Sequence, residues 1–186
     1  MKKCGFSILE VMIAIAVISS LGLGIYRLQL SQLSATQQAL TRQLAMQSAS
    51  NLANQIYAHL NYCNNGSTSR ISSCLNNTNS NYTETAYTDD TSMGTNCNSN
   101  NCTEAQYADY VLFRWKSTFT SMNLPAGNIL GVVCRDNSLT IPTMSATGCN
   151  GNGGLVIKMV WQSHLESAEA TNLGSNNFII LPVPQR

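Results

Sequence analysis

Residues 6–26 read FSILEVMIAIAVISSLGLGIY, twenty-one residues that are apolar or small with one exception, Glu10. About 20 apolar residues in a helix span the hydrocarbon core of a bilayer. Lys2 and Lys3 precede the run, and basic residues hold their end of a spanning helix in the cytoplasm, which places the remainder of the chain on the far side. A cleaved secretory signal needs a shorter apolar stretch ending at a small-x-small site. Ala14-Ile15-Ala16 has that form, but the apolar run continues well past it. Glu10 is the residue that neither reading explains. A charged carboxylate at the bilayer centre costs roughly 2.5–3.5 kcal/mol. The first basic residue after it is Arg27, about 25 Å further along a helix. Two outcomes are open to Glu10. It is neutral or reaches the interface, or it meets a cation from elsewhere. A cut after Gly5 creates such a cation, the α-amino group of Phe6, at nearly the depth of Glu10. Pairing is awkward within one helix and easy between helices stacked with an axial offset.

Residues 2–19, KKCGFSILEVMIAIAVIS, resemble the class III leader of type IV pilins and pseudopilins, in which a short basic leader ends in Gly, Phe comes next, and Glu stands fifth in the mature chain. The resemblance implies that Gly5 ends the leader, that Phe6 becomes the N-methylated terminus, that Glu10 is the assembly glutamate, and that a prepilin peptidase is a partner. It divides the chain into a leader (1–5), a transmembrane and assembly helix (6–33) and a periplasmic head (34–186).

There are seven cysteines, and Cys4 leaves with the leader. The remaining six lie beyond residue 60, an even set that reads as up to three disulfides in an oxidising compartment. Zinc needs a C-x-x-C pair or clustered histidines; no such pair occurs, and His59 and His164 are far apart. No metal or cofactor is expected. Cys134 and Cys149 flank a loop of Gly, Asn, Thr and Ser and form the preferred pair, with Cys97–Cys102 and Cys63–Cys74 as local pairs among the 15 connectivities that six cysteines allow.

The helix is expected to continue to about residue 60. No Pro or Gly lies between Leu28 and Leu60, and Leu33, Leu40, Leu44, Leu52, Ile56 and Leu60 form an apolar stripe opposite a glutamine-rich face. Residues 61–103 are rich in Asn, Ser and Thr and poor in hydrophobic residues. That composition suits disorder, but four cysteines supply crosslinks in place of a core. Thr103 with Gln106 forms a capping box, opening a helix with Ala108, Val111, Leu112, Trp115, Phe119 and Met122 at helical spacing and ending at Leu124-Pro125-Ala126-Gly127. NILGVVCR, GGLVIKMVWQ and NNFIILPVP then read as antiparallel strands. In the second, Val156, Lys158 and Val160 alternate with Leu155, Ile157, Met159 and Trp161. The expected class is α+β, a long helix packed on an antiparallel sheet.

GLGIYRLQLSQLSATQQALTRQLAMQSASNLANQI resembles the PilV-like minor pilins, as do Cys102, Ala108-Asp109, Trp115 and Leu124-Pro125-Ala126-Gly127, and the late strand LVIKMVW. This implies a structural subunit, not an enzyme. Such a subunit helps to prime type IV pilus assembly at or near the tip. Its partners are other minor pilins, the major pilin and the inner membrane, with a periplasmic head and a place in the surface fibre. A type II secretion pseudopilin shares the same N-terminal logic. A fibre-displayed adhesin or DNA-uptake module is the third reading. No Ser-His-Asp spacing, phosphate loop or HExxH appears. Asp89-Asp90 is a weak calcium candidate, Glu166 and Glu169 read as an exposed acidic patch, and Trp115 and Trp161 read as core. Arg114, Lys116 and Arg135 are the only candidates for a basic patch, and no nucleic-acid partner is expected with so few.

Overall fold

The computed structural model describes residues 7–65, 81–121, 128–161 and 177–184, without the side chains of 60–65 and 120–121. The leader, the Cys63–Cys74 pair, the expected helix end at residues 124–127, and Glu166 and Glu169 lie outside the described residues. Helix α1 spans Ile8–Asn65 and α2 spans Glu104–Ser121; strands β1 (Ile129–Asp136), β2 (Gly154–Trp161) and β3 (Asn177–Pro182) come after them. The architecture is α+β. The chain divides into two compact units, Met1–Ala39 and Leu40–Arg186.

The three strands form one antiparallel sheet in the order β1-β2-β3. Gly131 pairs with Met159, Val133 with Ile157 and Ile157 with Leu181. Odd-numbered residues therefore share one face, because side chains alternate along a strand. That face supplies Ile129, Val133, Leu155, Ile157, Met159, Trp161 and Ile179 to the main core. From the helices the same cluster takes Ala45, Ala49, Leu52, Ala53 and Ile56 of α1, and Ala108, Val111, Leu112, Trp115 and Phe119 of α2. The opposite, even-numbered face is buried too at Val132, Cys134, Val156, Lys158 and Val160. The alternation in β2 thus separates two buried faces rather than an inner from a wetted one.

The buried line of α1 differs from the leucine stripe expected. Leu33 and Leu40 are exposed and Leu44 is half-buried, whereas Thr41, Ala45, Ala49, Leu52, Ala53 and Ile56 are buried. Successive residues are about 100° apart around a helix, so moving from Leu40–Leu44 to Thr41–Ala45 turns the contact line by one residue. Alanines on that line belong to one core cluster with the bulky Trp115, Phe119 and Met159, and combining large and small residues is how close packing is reached. The expected stripe holds at Leu52 and Ile56, which are buried, and fails at Leu33 and Leu40, where bulk pointed to the wrong strip.

Helix α2 begins as expected. The Gln106 amide donates to Thr103 Oγ1 (3.3 Å) and the Thr103 amide donates to Gln106 Oε1 (2.9 Å), a reciprocal capping box. Trp115 then lies directly over Gly131; a Cβ there would fall 2.4 Å from the indole ring. Trp115 and Trp161 are both buried.

Candidate assembly segment

In the N-terminal unit, α1 starts behind Ser7, whose carbonyl accepts from the amides of Glu10 (3.0 Å) and Val11 (3.3 Å). Glu10 sits in the first turn. Its carboxylate is therefore near the positive end of the helix dipole, where negative charge is favoured. Within this unit the large apolar side chains are exposed, from Ile8 and Leu9 through Ile18 and Leu23 to Leu28 and Leu33. The helix is long and apolar enough to cross a membrane. Two of its hydroxyls are satisfied within the helix: Ser19 Oγ donates to the Ile15 carbonyl and Ser20 Oγ to the Val17 carbonyl, both at 2.8 Å. Polar side chains in a bilayer need such partners because no water supplies them. Gly22 and Gly24 face open space, so nothing among the described residues requires glycine there. Gly5 and Phe6 lie outside the described residues.

The C-terminal unit is tied by covalent and ionic links. Disulfides join Cys97 to Cys102 and Cys134 to Cys149. The Asn-rich segment, read from sequence as coreless, is anchored by two residues that composition did not reveal. Tyr82 is buried, and its hydroxyl hydrogen-bonds to His59 Nδ1 at 2.7 Å. Glu84 is buried beside edge strand β1: its amide donates to the Val133 carbonyl (2.7 Å) and the Val133 amide donates to Glu84 Oε2 (2.9 Å). One residue thus satisfies both outward backbone groups of Val133, blunting an edge that would otherwise template pairing. The other Glu84 oxygen pairs with Lys116, whose ammonium also donates to the carbonyls of Tyr87 (3.2 Å) and Asp89. Burial raises the Glu84 carboxyl to about 7 against the pull of Lys116.

A second buried ion pair joins Lys158 to Asp136 at 2.9 Å on the even face of the sheet. Lys158 Nζ also donates to the carbonyls of Thr140 (2.9 Å) and Gly148 (2.7 Å). Burial alone would raise the Asp136 carboxyl, but Lys158 and the Ser138 hydroxyl and amide outweigh it and hold it well below the usual carboxylate range.

The three basic residues considered as a patch are not one. Lys116 is buried and paired with Glu84, Arg135 donates to the Gly153 carbonyl (3.0 Å), and Arg114 lies 5.9 Å over the Tyr110 ring. Asp89 uses one oxygen to accept from the Thr85 amide (2.7 Å), the Thr85 hydroxyl (2.9 Å) and the Ala86 amide (2.8 Å). Among the described residues no acidic, His or Cys cluster has the form of a metal site.

Against that geometry, one comparison is informative. Residues 1–26 match the prokaryotic N-terminal methylation motif. The chain carries a type IV pilin-like prepilin N-terminus. That context implies processing by a prepilin peptidase and assembly into a pilus or pseudopilus. No curated protein and no solved structure gives a significant match.

Proposed function

We propose that this chain is a minor pilin, a non-enzymatic structural subunit cut after Gly5, methylated on Phe6, and drawn into the fibre through its N-terminal helix. The observation that carries the reading is the methylation motif over residues 1–26, with Gly5, Phe6 and Glu10 at pilin spacing. Supporting it are the exposed apolar surface of the N-terminal unit and the disulfide-tied C-terminal unit. In this reading the helix first anchors the subunit in the inner membrane with its head in the periplasm. Glu10 then meets the new α-amino group of an adjacent, axially offset subunit. A charge left unpaired away from water is costly and pairing relieves that cost, so Glu10 sets register where apolar side chains alone would slide. The subunit helps to prime assembly with other minor pilins and the major pilin, at or near the tip.

Glu10→Ala is expected to leave membrane insertion unchanged, since it removes a polar group from an apolar run, and to abolish recovery of the protein in sheared pili. Recovery of Glu10→Ala in pili at wild-type level contradicts the proposal. A pseudopilin role makes the same prediction for Glu10. Deletion of the gene separates the two, because loss of surface pili supports the pilus role and loss of exoprotein release supports secretion.

A further inference from the structure

A groove of about 440 Å³ in the C-terminal unit is lined by α1, α2 and Asn98. From α1 come Asn51, Leu52 and Gln55, spaced by three and four residues and so on one face of the helix. Tyr107, Tyr110, Arg114 and Trp115 follow the same spacing on α2. Leu52 and Trp115 are buried, whereas Asn51, Gln55 and Arg114 are exposed, so the lining grades from apolar to polar. Asn98 adds a third carboxamide. It stands within the Cys97–Cys102 crosslink, and its amide donates to Asn96 Oδ1 at 3.0 Å. One residue of the Asn-rich segment is thereby held at the groove.

Arg114 is the one charged residue in this lining. Its Nη1 lies 3.4 Å from the Tyr110 hydroxyl, with the guanidinium over the Tyr110 ring, and it forms no ion pair among the described residues. A guanidinium presents a planar fork of donors that matches a carboxylate. Tyr107 is 40% exposed, and its ring is set against that of His59 at 4.8 Å. A tyrosine offers a ligand an apolar body with a polar tip. Each carboxamide both donates and accepts, which suits a ligand whose hydroxyls do the same. Such a set of groups fits a sugar. It fits a lipid chain poorly, since a chain has no partner for three carboxamides, and it fits a nucleic acid poorly, since a phosphate backbone needs several cations.

We propose that the groove between α1 and α2 binds a carboxylated oligosaccharide. Arg114 takes the carboxylate, Asn51, Gln55 and Asn98 hydrogen-bond the hydroxyls, and Tyr107 packs against a sugar ring. The volume falls within the roughly 300–1,000 Å³ of small-ligand sites. This binding goes beyond the assembly role and does not depend on it, because every lining residue belongs to the C-terminal unit.

The test uses the full-length protein, solubilised in a detergent without a sugar headgroup. It is titrated with trigalacturonate and with sialyllactose as acidic probes, and with lactose as the neutral one. Tryptophan fluorescence follows binding, because Trp115 lines the groove, and calorimetry checks it. At least one acidic probe is expected to bind about tenfold more tightly than lactose, the margin that one charge-assisted pair supplies. Arg114→Gln is expected to abolish that preference. Its thermal midpoint should stay at the wild-type value, since the exposed guanidinium has no ion pair among the described residues to lose. Arg114→Lys keeps the charge without the fork and is expected to recover only part of the preference. Three results overturn the proposal: no binding of either acidic probe, lactose binding as tightly as both, or a preference that survives Arg114→Gln. Tighter binding of a thymidine oligonucleotide than of any saccharide also overturns it, in favour of a nucleic-acid ligand.

Discussion

Lys158 has no solvent-exposed surface, and its ammonium bonds to one carboxylate and two carbonyls. Removing one partner of a buried pair strands the other, at a cost of about 3–5 kcal/mol. Lys158→Met is therefore expected to lower the unfolding free energy of the C-terminal unit, read from urea titration, by that order, and the Asp136→Leu/Lys158→Met double variant to recover part of the loss. Equal damage in the single and double variants would show that the loop depends on the ammonium itself. Because the folded-state Asp136 carboxyl is depressed below 3.8, its stabilisation is complete above that value and is lost as pH falls further. Glu84 behaves oppositely. Its carboxyl is raised from 4.5 to about 7 by burial, so between those values the folded chain binds protons that the unfolded chain has released. The Glu84 contribution is then fully present below 4.5 and declines as pH rises to about 7, by roughly 2–3 kcal/mol. Asp90, raised by burial and by Asp109, adds to the same slope. Denaturant titrations from pH 4.5 to 8 are expected to show the decline in wild type and little of it in Glu84→Gln; equal slopes in the two proteins would assign it elsewhere.

Among the elements, the contact of α2 with β1 rests on a missing side chain. A methyl group on Gly131 would sit 2.4 Å from the Trp115 ring, and such overpacking costs about 1–3 kcal/mol. Gly131→Ala is expected to destabilise by that amount in chemical denaturation and to shift the near-ultraviolet signal of Trp115. At the N-terminal end of α2, Thr103→Ala removes half of the capping box and is expected to cost about 1 kcal/mol. The box was readable because it is a local rule, two residues three positions apart. The strands were readable for the same reason, since β-branched runs flanked by Gly, Asn and Pro announce themselves. The contact line of α1 was readable at Leu52 and Ile56 but not in the turns before them, where Leu40 is exposed and Thr41 buried and only the neighbouring surface decides between them. Glu84 with Lys116, and Lys158 with Asp136, were hidden by sequence separation, the partners standing 32 and 22 positions apart. An acid in an Asn-rich segment and a lysine in a strand look solvated until the fold brings each to its counterion.

For the molecule as a whole, two kinds of surface meet two kinds of environment. The N-terminal unit exposes apolar side chains that require lipid or neighbouring helices, and the C-terminal unit buries its own around a small sheet reinforced by disulfides and buried ion pairs. Crosslinking residues 15 positions apart, as Cys134–Cys149 does, stabilises by about 3 kcal/mol in the chain-entropy model. Reduction is expected to lower the thermal midpoint of the C-terminal unit by several degrees and to increase hydrogen exchange most in residues 137–152; unchanged exchange there would mean that Lys158 and the Tyr87 hydroxyl, which donates to the Thr143 carbonyl, hold the loop unaided. In the proposed reading the N-terminal unit acquires its function by a different covalent event, proteolysis that uncovers an amine at Phe6 as the counterion of Glu10. The decisive measurement is the intact mass and N-terminal sequence of the protein recovered from filaments. The expected result is a chain beginning at methylated Phe6 and lacking residues 1–5. Filaments containing the protein with those five residues still attached would contradict the pairing of Glu10 with a newly exposed amine, and with it the assembly role.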